Sequence, residues 1–239
     1  MKALILNSGT GSRMGEITKT HPKCMTELID NETILSRQLK LLKAVGINKI
    51  VITTGPFHNE MIAYCDSLNL DLDITFVNNP DYAITNYIYS VYCAKDKLID
   101  DDIIMMHGDL IFTEEILSSA ISYDKSCMII SKTLPLPEKD FKAVIENDRI
   151  SKVGIEFFDN AYAAEPLYKI KQVDWLKWLA KMIEFCEQNN RKCYGENAFN
   201  EISDECLIYG LDIGNKLCME VDNVEDLKNV RTKLKELKK

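Results

Sequence analysis

The residues best equipped for chemistry lie near the start of the chain. There Asn7-Ser8-Gly9-Thr10-Gly11-Ser12-Arg13-Met14 follows the apolar run Ala3-Leu4-Ile5-Leu6 and leads on to His21-Pro22-Lys23. Two glycines after a buried strand permit a tight turn and bring backbone N–H groups up to a phosphate. Arg13 offers a bidentate fork and Lys23 a compact point charge, which together suit a polyphosphate whose charge grows during reaction. A Gly-x-Gly turn alone serves equally as an ordinary strand-to-helix connection. Two other phosphate loops match less well. A dinucleotide fingerprint wants a third glycine where Met14 stands and a carboxylate after the second strand, where Gly55-Pro56 follows Thr53-Thr54. A Walker loop wants Gly-Lys-Ser/Thr at its end, which this loop lacks.

Asp109 is the next candidate. It follows the apolar run Ile103-Ile104-Met105-Met106-His107, and a carboxylate at a strand's carboxyl end points into the crevice where the glycine loop also lies. His21 and His107 are read as structural, because a lone histidine lacks a partner to orient it as a base.

The elements that must position these groups alternate along the chain. Residues 33–44 carry Leu35, Leu39 and Leu42 at helical spacing and close on Gly46. Strands are expected at 49–54, 72–77 and 127–132, and helices at 58–68, 87–98 and 113–122. This βαβ alternation predicts a mostly parallel sheet. A hairpin at 142–155, turning at Asn147-Asp148, interrupts it. An amphipathic helix is expected over 172–189 with Val173, Leu176, Leu179, Ile183 and Cys186 inward, then a helix or loop at 194–202. A short strand at 217–222 and a Lys-rich helix at 224–238 end the pattern. The stretch 134–210 is the one plausible inserted subdomain in 239 residues.

Composition narrows the partners. A net charge of −8 argues against nonspecific nucleic-acid binding and against attraction to acidic membranes, so any anion site is local. The eight cysteines are scattered without a Cys-x-x-Cys pair, which predicts reduced structural thiols. With no basic and apolar leader and no stretch approaching the roughly 20 apolar residues of a membrane span, a cytoplasmic protein without membrane insertion is expected.

The glycine loop with Arg13, followed by Pro22-Lys23, resembles the signature of the sugar-nucleotide and CTP-dependent nucleotidyltransferases. Thr85-Asn86-Tyr87-Ile88-Tyr89-Ser90 and Glu220-Val221-Asp222-Asn223-Val224-Glu225 resemble the bacterial choline-phosphate cytidylyltransferases within them. Asn7-Ser8 departs from the two alanines usual in that family. The resemblance implies a Rossmann-like three-layer α/β fold with a mixed, mostly parallel sheet, an inserted acceptor-binding region at 134–210, and CTP as nucleotide. It implies Arg13, Lys23 and Asp109 as catalytic residues, and Mg²⁺ held by Asp109 and Asp222. Nucleotide contacts fall to Leu6, Asn7, Ser8, Gly9, Thr10, Gly11, Ser12, Arg13, Lys23, Gly55, Asn86 and Ser90. A small cationic phosphate or phosphonate, such as phosphocholine or 2-aminoethylphosphonate, would meet Glu196 and Glu220 with Tyr89, Tyr162, Tyr168 and Tyr194 around them. A sugar 1-phosphate acceptor, or a catalytically silent nucleotide-binding protein, are the alternatives.

Overall fold

The computed structural model describes residues 1–238. Its first strand, β1 (Lys2–Asn7), is apolar on both faces and lies inside the main sheet. A strand covered on both sides reads as a continuous apolar run rather than an alternation. β1 pairs in parallel with β2 (Lys49–Thr54) and with β4 (Ile103–His107), and β2 pairs in parallel with β3 (Asp73–Asn78). The helices α1 (Ile34–Ala44), α2 (His58–Ser67) and α3 (Tyr87–Ala94) make the crossovers. Thr33 opens α1 with a reciprocal capping box, and Gly46, at φ 79°, takes the left-handed turn that ends it. The helix expected over 87–98 stops at Ala94 and passes into a single 3₁₀ turn.

After β4 the topology departs from simple alternation. The three-residue β5 (Leu110–Phe112) leaves the main sheet to pair with β11 (Cys218–Glu220), so a small antiparallel sheet holds the two chain segments that carry Asp109 and Asp222. This pairing brings residues 113 positions apart in sequence to one place, and Val221 N–H donates to the Asp109 carbonyl at 3.0 Å. Then come α4 (Glu114–Ser122), β6 (Cys127–Ser131) and the hairpin of β7 (Lys142–Glu146) and β8 (Arg149–Gly154).

A strand missing from the sequence reading, β9 (Ala161–Ile170), comes from within 134–210 and runs antiparallel between β4 and β6 in the main sheet. Its apolar positions do not alternate, because it too is covered on both faces. The remaining elements are α5 (Gln172–Glu187), α6 (Gly195–Ile202), β10 (Tyr209–Asp212) and α7 (Val224–Glu236). The main sheet follows the order β10-β6-β9-β4-β1-β2-β3, with β7 on β9 and β8 on β7.

Two apolar cores flank the sheet and make it three layers. One packs Leu4, Leu6 and Met105 against α3, α5 and α6, and the other packs Ala3, Ile5 and Met106 against α1, α2 and α4. The inward face of α5 corrects the sequence reading: Trp175, Trp178, Leu179, Met182 and Cys186 are buried, whereas Val173 is 61% and Leu176 39% exposed. The two tryptophans fix the rotation, since each buries a large apolar area and satisfies its indole N–H, Trp175 on Leu98 O and Trp178 on Gly195 O. All eight cysteines are free thiols, six of them buried. Among the described residues no helix is long and apolar enough to cross a membrane.

Candidate functional site

The glycine loop leaves the carboxyl end of β1 and turns at Gly11, whose φ of 65° lies in the left-handed region. A Cβ there would come within 3.1 Å of the Lys23 Cβ, so glycine both permits the turn and admits the lysine. Residues 9–13, Pro22, Lys23 and Asp109 line a cavity of about 250 Å³. A second cavity of about 290 Å³ shares Leu6, Gly9, Arg13 and Asp109 with it and continues between Asn86, Ser90 and Tyr82 on one side and Tyr87, His107 and Tyr194 on the other. The two form one cleft across the carboxyl ends of β1 and β4, where an open α/β sheet gathers its ligands.

The charged residues expected from the sequence meet at the junction of these cavities. Lys23 Nζ lies 2.5 Å from Asp109 Oδ2 and 2.7 Å from Asp222 Oδ1, and Arg13 lies 2.6 Å from Asp222 Oδ2. Burial alone would lower the Lys23 pKa, but the two carboxylates outweigh it and hold the ammonium above its ordinary value. Burial pushes Asp109 up, while Lys23 and His107 pull it further down, so it stays ionised. The remaining Asp109 oxygen, Oδ1, is buried without a partner. Two convergent carboxylates with a spare oxygen fit a hard divalent cation, which takes one or two carboxylates and completes its shell with phosphate oxygens and water.

The departure at Asn7-Ser8 has a structural account. Both residues are buried, and the Asn7 side chain lies over Gly108, where a Cβ would fall 1.5 Å from Asn7 Oδ1. Gly55 likewise admits the Ser8 carbonyl, which a Cβ would meet at 2.3 Å. Gly108 thus makes room for the Asn7 side chain, and Gly55 for the Ser8 backbone. Asn86 caps α3, accepting from the Tyr87 N–H, and Ser90 accepts from Asn79 Nδ2 at 3.0 Å. Asn79 also donates to Thr85, tying the loop before α3 to the helix.

The acceptor residues named from the sequence separate into two groups. Glu196, Tyr168 and Tyr194 stand near the second cavity, with Glu220 on its β11 side. Glu196 is 1% exposed, and its oxygens accept from the hydroxyls of Tyr168, at 2.8 Å, and Tyr87. Tyr89 and Tyr162 stand apart. Tyr89 stacks on Tyr92 beneath the Arg191 guanidinium, and Tyr162 faces Lys132. Two residues along a helix turn it by roughly 200°, so Tyr87 faces the cleft while Tyr89 faces away. The burial of Ser90, three residues from Tyr87, carries that signal in the helix period.

His107, read as lacking a partner, has one: its Nδ1 lies 2.8 Å from Glu220 Oε1. Burial would lower its pKa, but the hydrogen bond and charge of Glu220 raise it to about 9. Glu220 itself is pushed up to about 7, first by burial and then by the Asp109 charge. Tyr87 packs edge-on against His107 at 5.1 Å and lies 6.1 Å from the Tyr194 ring. Glu165 on β9 is a further carboxylate that sequence reading missed. Burial, then Glu220, Asp140 and Asp109, push it well above the usual carboxylate range. This end of the cleft is therefore aromatic, with carboxyl groups packed behind its wall.

Comparison with known proteins agrees with this geometry. Residues 3–131 match the model of the MobA-like NTP transferase domain. The CTP:phosphoglutamine cytidylyltransferase of Campylobacter jejuni is 30% identical over 82% of each chain, and the choline-phosphate cytidylyltransferase of Streptococcus pneumoniae is 25% identical over 98% of this chain and 99% of its own. The CMP-5'-(3-aminopropyl)phosphonate synthase of Streptomyces rubellomurinus is 29% identical over 95% of this chain, which spans only 37% of that relative. In fold, the solved CTP:phosphocholine cytidylyltransferase of S. pneumoniae superposes with a TM-score of 0.76 over 98% of both chains at 18% identity. The inositol-1-phosphate CTP transferase of T. maritima reaches a TM-score of 0.80 over 98% of this chain and 96% of its own, at 21% identity. The glycine loop, its paired cations and the carboxylates facing them thus belong to a nucleotidyltransferase, and the chain is a member of the MobA-like NTP transferase domain family.

Proposed function

We propose that the chain is a cytidylyltransferase that transfers CMP from CTP to a small cationic phosphate or phosphonate and releases pyrophosphate. The observation that carries this reading is one continuous cleft whose two ends differ in character. At one end are the glycine loop, Arg13 and Lys23; at the other are the rings of Tyr82, Tyr87 and Tyr194, with Glu196 bonded behind Tyr87 and Glu220 behind His107. An anionic triphosphate suits the first, and aromatic faces that can hold an ammonium suit the second. The cytidylyl activities named for the relatives in C. jejuni and S. pneumoniae support CTP as the donor.

The base would lie along Ser8, Gly55, Asn86 and Ser90, where short polar groups and free backbone edges match a cytosine edge. The triphosphate would wrap over residues 9–13. A phosphate or phosphonate oxygen of the acceptor, already ionised at neutral pH, attacks the α-phosphorus in line, and pyrophosphate departs. No side-chain nucleophile is needed. Lys23 neutralises charge at the α-phosphate, Arg13 grips the departing pyrophosphate, and the cleft walls hold the two substrates in line. Asp109 and Asp222 would hold a Mg²⁺ ion, which supplies charge neutralisation across the triphosphate. Residues 134–210 would serve as the acceptor-binding region of a single nucleotidyltransferase domain.

The test is a pyrophosphate-release screen of CTP, UTP, ATP and dTTP against phosphocholine, 2-aminoethylphosphonate, phosphoethanolamine, glycerol phosphate and sugar 1-phosphates. Turnover with CTP and an amino-alcohol phosphate or aminophosphonate is expected. Turnover confined to UTP or dTTP with a sugar 1-phosphate would refute the reading.

A further inference from the structure

We propose that in the nucleotide-free enzyme the Lys23 ammonium occupies the place of the divalent ion, so that ion and triphosphate bind as one coupled unit and neither binds well alone. The inference rests on the nucleotidyltransferase reading of the cleft and adds to it a role for Lys23 before any substrate is bound.

Three of the four oxygens of the Asp109 and Asp222 carboxylates already hold a side-chain cation. Lys23 Nζ bridges the two acids at 2.5 and 2.7 Å, and Arg13 takes the other oxygen of Asp222 at 2.6 Å. A divalent ion shared by these carboxylates must come within roughly 2.0–2.2 Å of an oxygen of each. That volume and the ammonium's overlap. Two like charges there would repel strongly, because the Lys23 and Asp222 side chains are only 12% and 15% exposed and water screens them poorly. The neighbouring Glu220 shares one oxygen with His107, and with His107 and Asp109 it offers a second set of possible ligands whose atoms lie within 4.8 Å of one another, a set that also depends on Asp109. Asp109 Oδ1, buried and unpartnered, is the single oxygen of the set left free, and one carboxylate oxygen is a weak site for a hard cation.

A triphosphate changes this balance. Its oxygens offer Lys23 and Arg13 stronger bidentate or charge-assisted partners, and movement of those cations toward the phosphates uncovers both carboxylates. The nucleotide thus opens the ion site, and the ion in turn removes the lysine's competing partner. By reciprocity each must raise the other's affinity by the same factor. Lys23 is then a coupling element as well as a phosphate contact. The same lysine that strengthens nucleotide binding weakens ion binding when no nucleotide is present.

The experiment titrates Mn²⁺, followed by its electron paramagnetic resonance signal, into the full chain with and without CTP and no acceptor. For the wild type, nucleotide should strengthen Mn²⁺ binding by about tenfold or more. Lys23→Met should bind Mn²⁺ about tenfold more tightly than the wild type in the absence of nucleotide, and most of the gain from CTP should vanish. Adding Asp109→Asn to Lys23→Met should abolish the new affinity, which locates it at this pair. A Lys23→Met protein that melts cooperatively yet binds Mn²⁺ no tighter than wild type would overturn the proposal, as would a gain that survives Asp109→Asn. The nucleotide-free comparison needs no CTP, so a protein that binds a different nucleotide would refute the cytidylyl reading while leaving this test intact.

Discussion

The two ends of the cleft are built in opposite ways. The glycine-loop end, proposed to take the triphosphate, is assembled from one short stretch, residues 8–23, facing two aspartates, and its charges pair directly with one another. The aromatic end, proposed to take the acceptor, draws residues from α3, β4, β9, α6 and β11, and its central carboxylate, Glu196, is sealed beneath two tyrosine hydroxyls. The first end is a set of charges paired with one another, which would exchange partners under the proposed coupling. The second is a preformed wall in which Glu196 is satisfied by two hydroxyls and His107 Nδ1 by Glu220, while His107 Nε2 is buried without a partner. A phosphate site common to many reactions can be carried by a portable loop, whereas a site for one acceptor must be fitted from the whole fold.

Substitutions at each end should separate these roles. The largest effect is expected for Asp109→Ala, which should abolish pyrophosphate release while the protein keeps its cooperative melt; near-normal turnover would remove Asp109 from the reaction. Lys23→Ala should lower kcat by about 10²- to 10³-fold, the scale of losing one transition-state charge donor. Unchanged turnover would show that Arg13 alone suffices.

At the acceptor end the expected cost falls first on stability. Glu196→Ala strands the hydroxyls of Tyr87 and Tyr168 and should destabilise the fold by about 2–4 kcal/mol in denaturant titration, with the acceptor KM raised more than that of CTP. Equal changes in both KM values would break the division between the ends. Smaller still is the pH response of His107. Its pKa in the fold, about 9, exceeds the ordinary 6.5, so the stability that the charged imidazolium contributes is fully present below pH 6.5 and is lost as pH rises through 9. The wild-type Tm should decline across this window more steeply than that of His107→Gln, and parallel curves would remove the assignment. Smallest of all, Tyr89→Phe should leave the acceptor KM within about twofold, because its ring lies on the outer face of α3, whereas Tyr87→Phe should raise it. The reverse order would return Tyr89 to the site.

Much of the molecule was legible beforehand because its signals are local. The βα alternation up to β4, the Gly46 cap of α1 and the glycine turn depend on residues within a few positions of each other. The inner face of α5 was misread because Val173 and Leu176 fit an apolar stripe as well as Trp175 and Trp178 do, and only the indole hydrogen bonds to Leu98 and Gly195 decide between them. β9 was missed because Glu165, Pro166 and Lys169 break its apolar run, and its antiparallel place between β4 and β6 rests on pairings far apart in sequence.

The sequence by itself determined the family and singled out the glycine loop with Arg13, Lys23, Asp109 and Asp222, since these need only residue type and short spacing. Only the tertiary structure decided that Lys23 stands between the two aspartates, that Tyr87 rather than Tyr89 faces the cleft, and that His107 holds Glu220. The reason is physical. A charge's partner is set by what the fold brings within a few ångströms of it, and here the small β5–β11 sheet brings together segments more than a hundred residues apart.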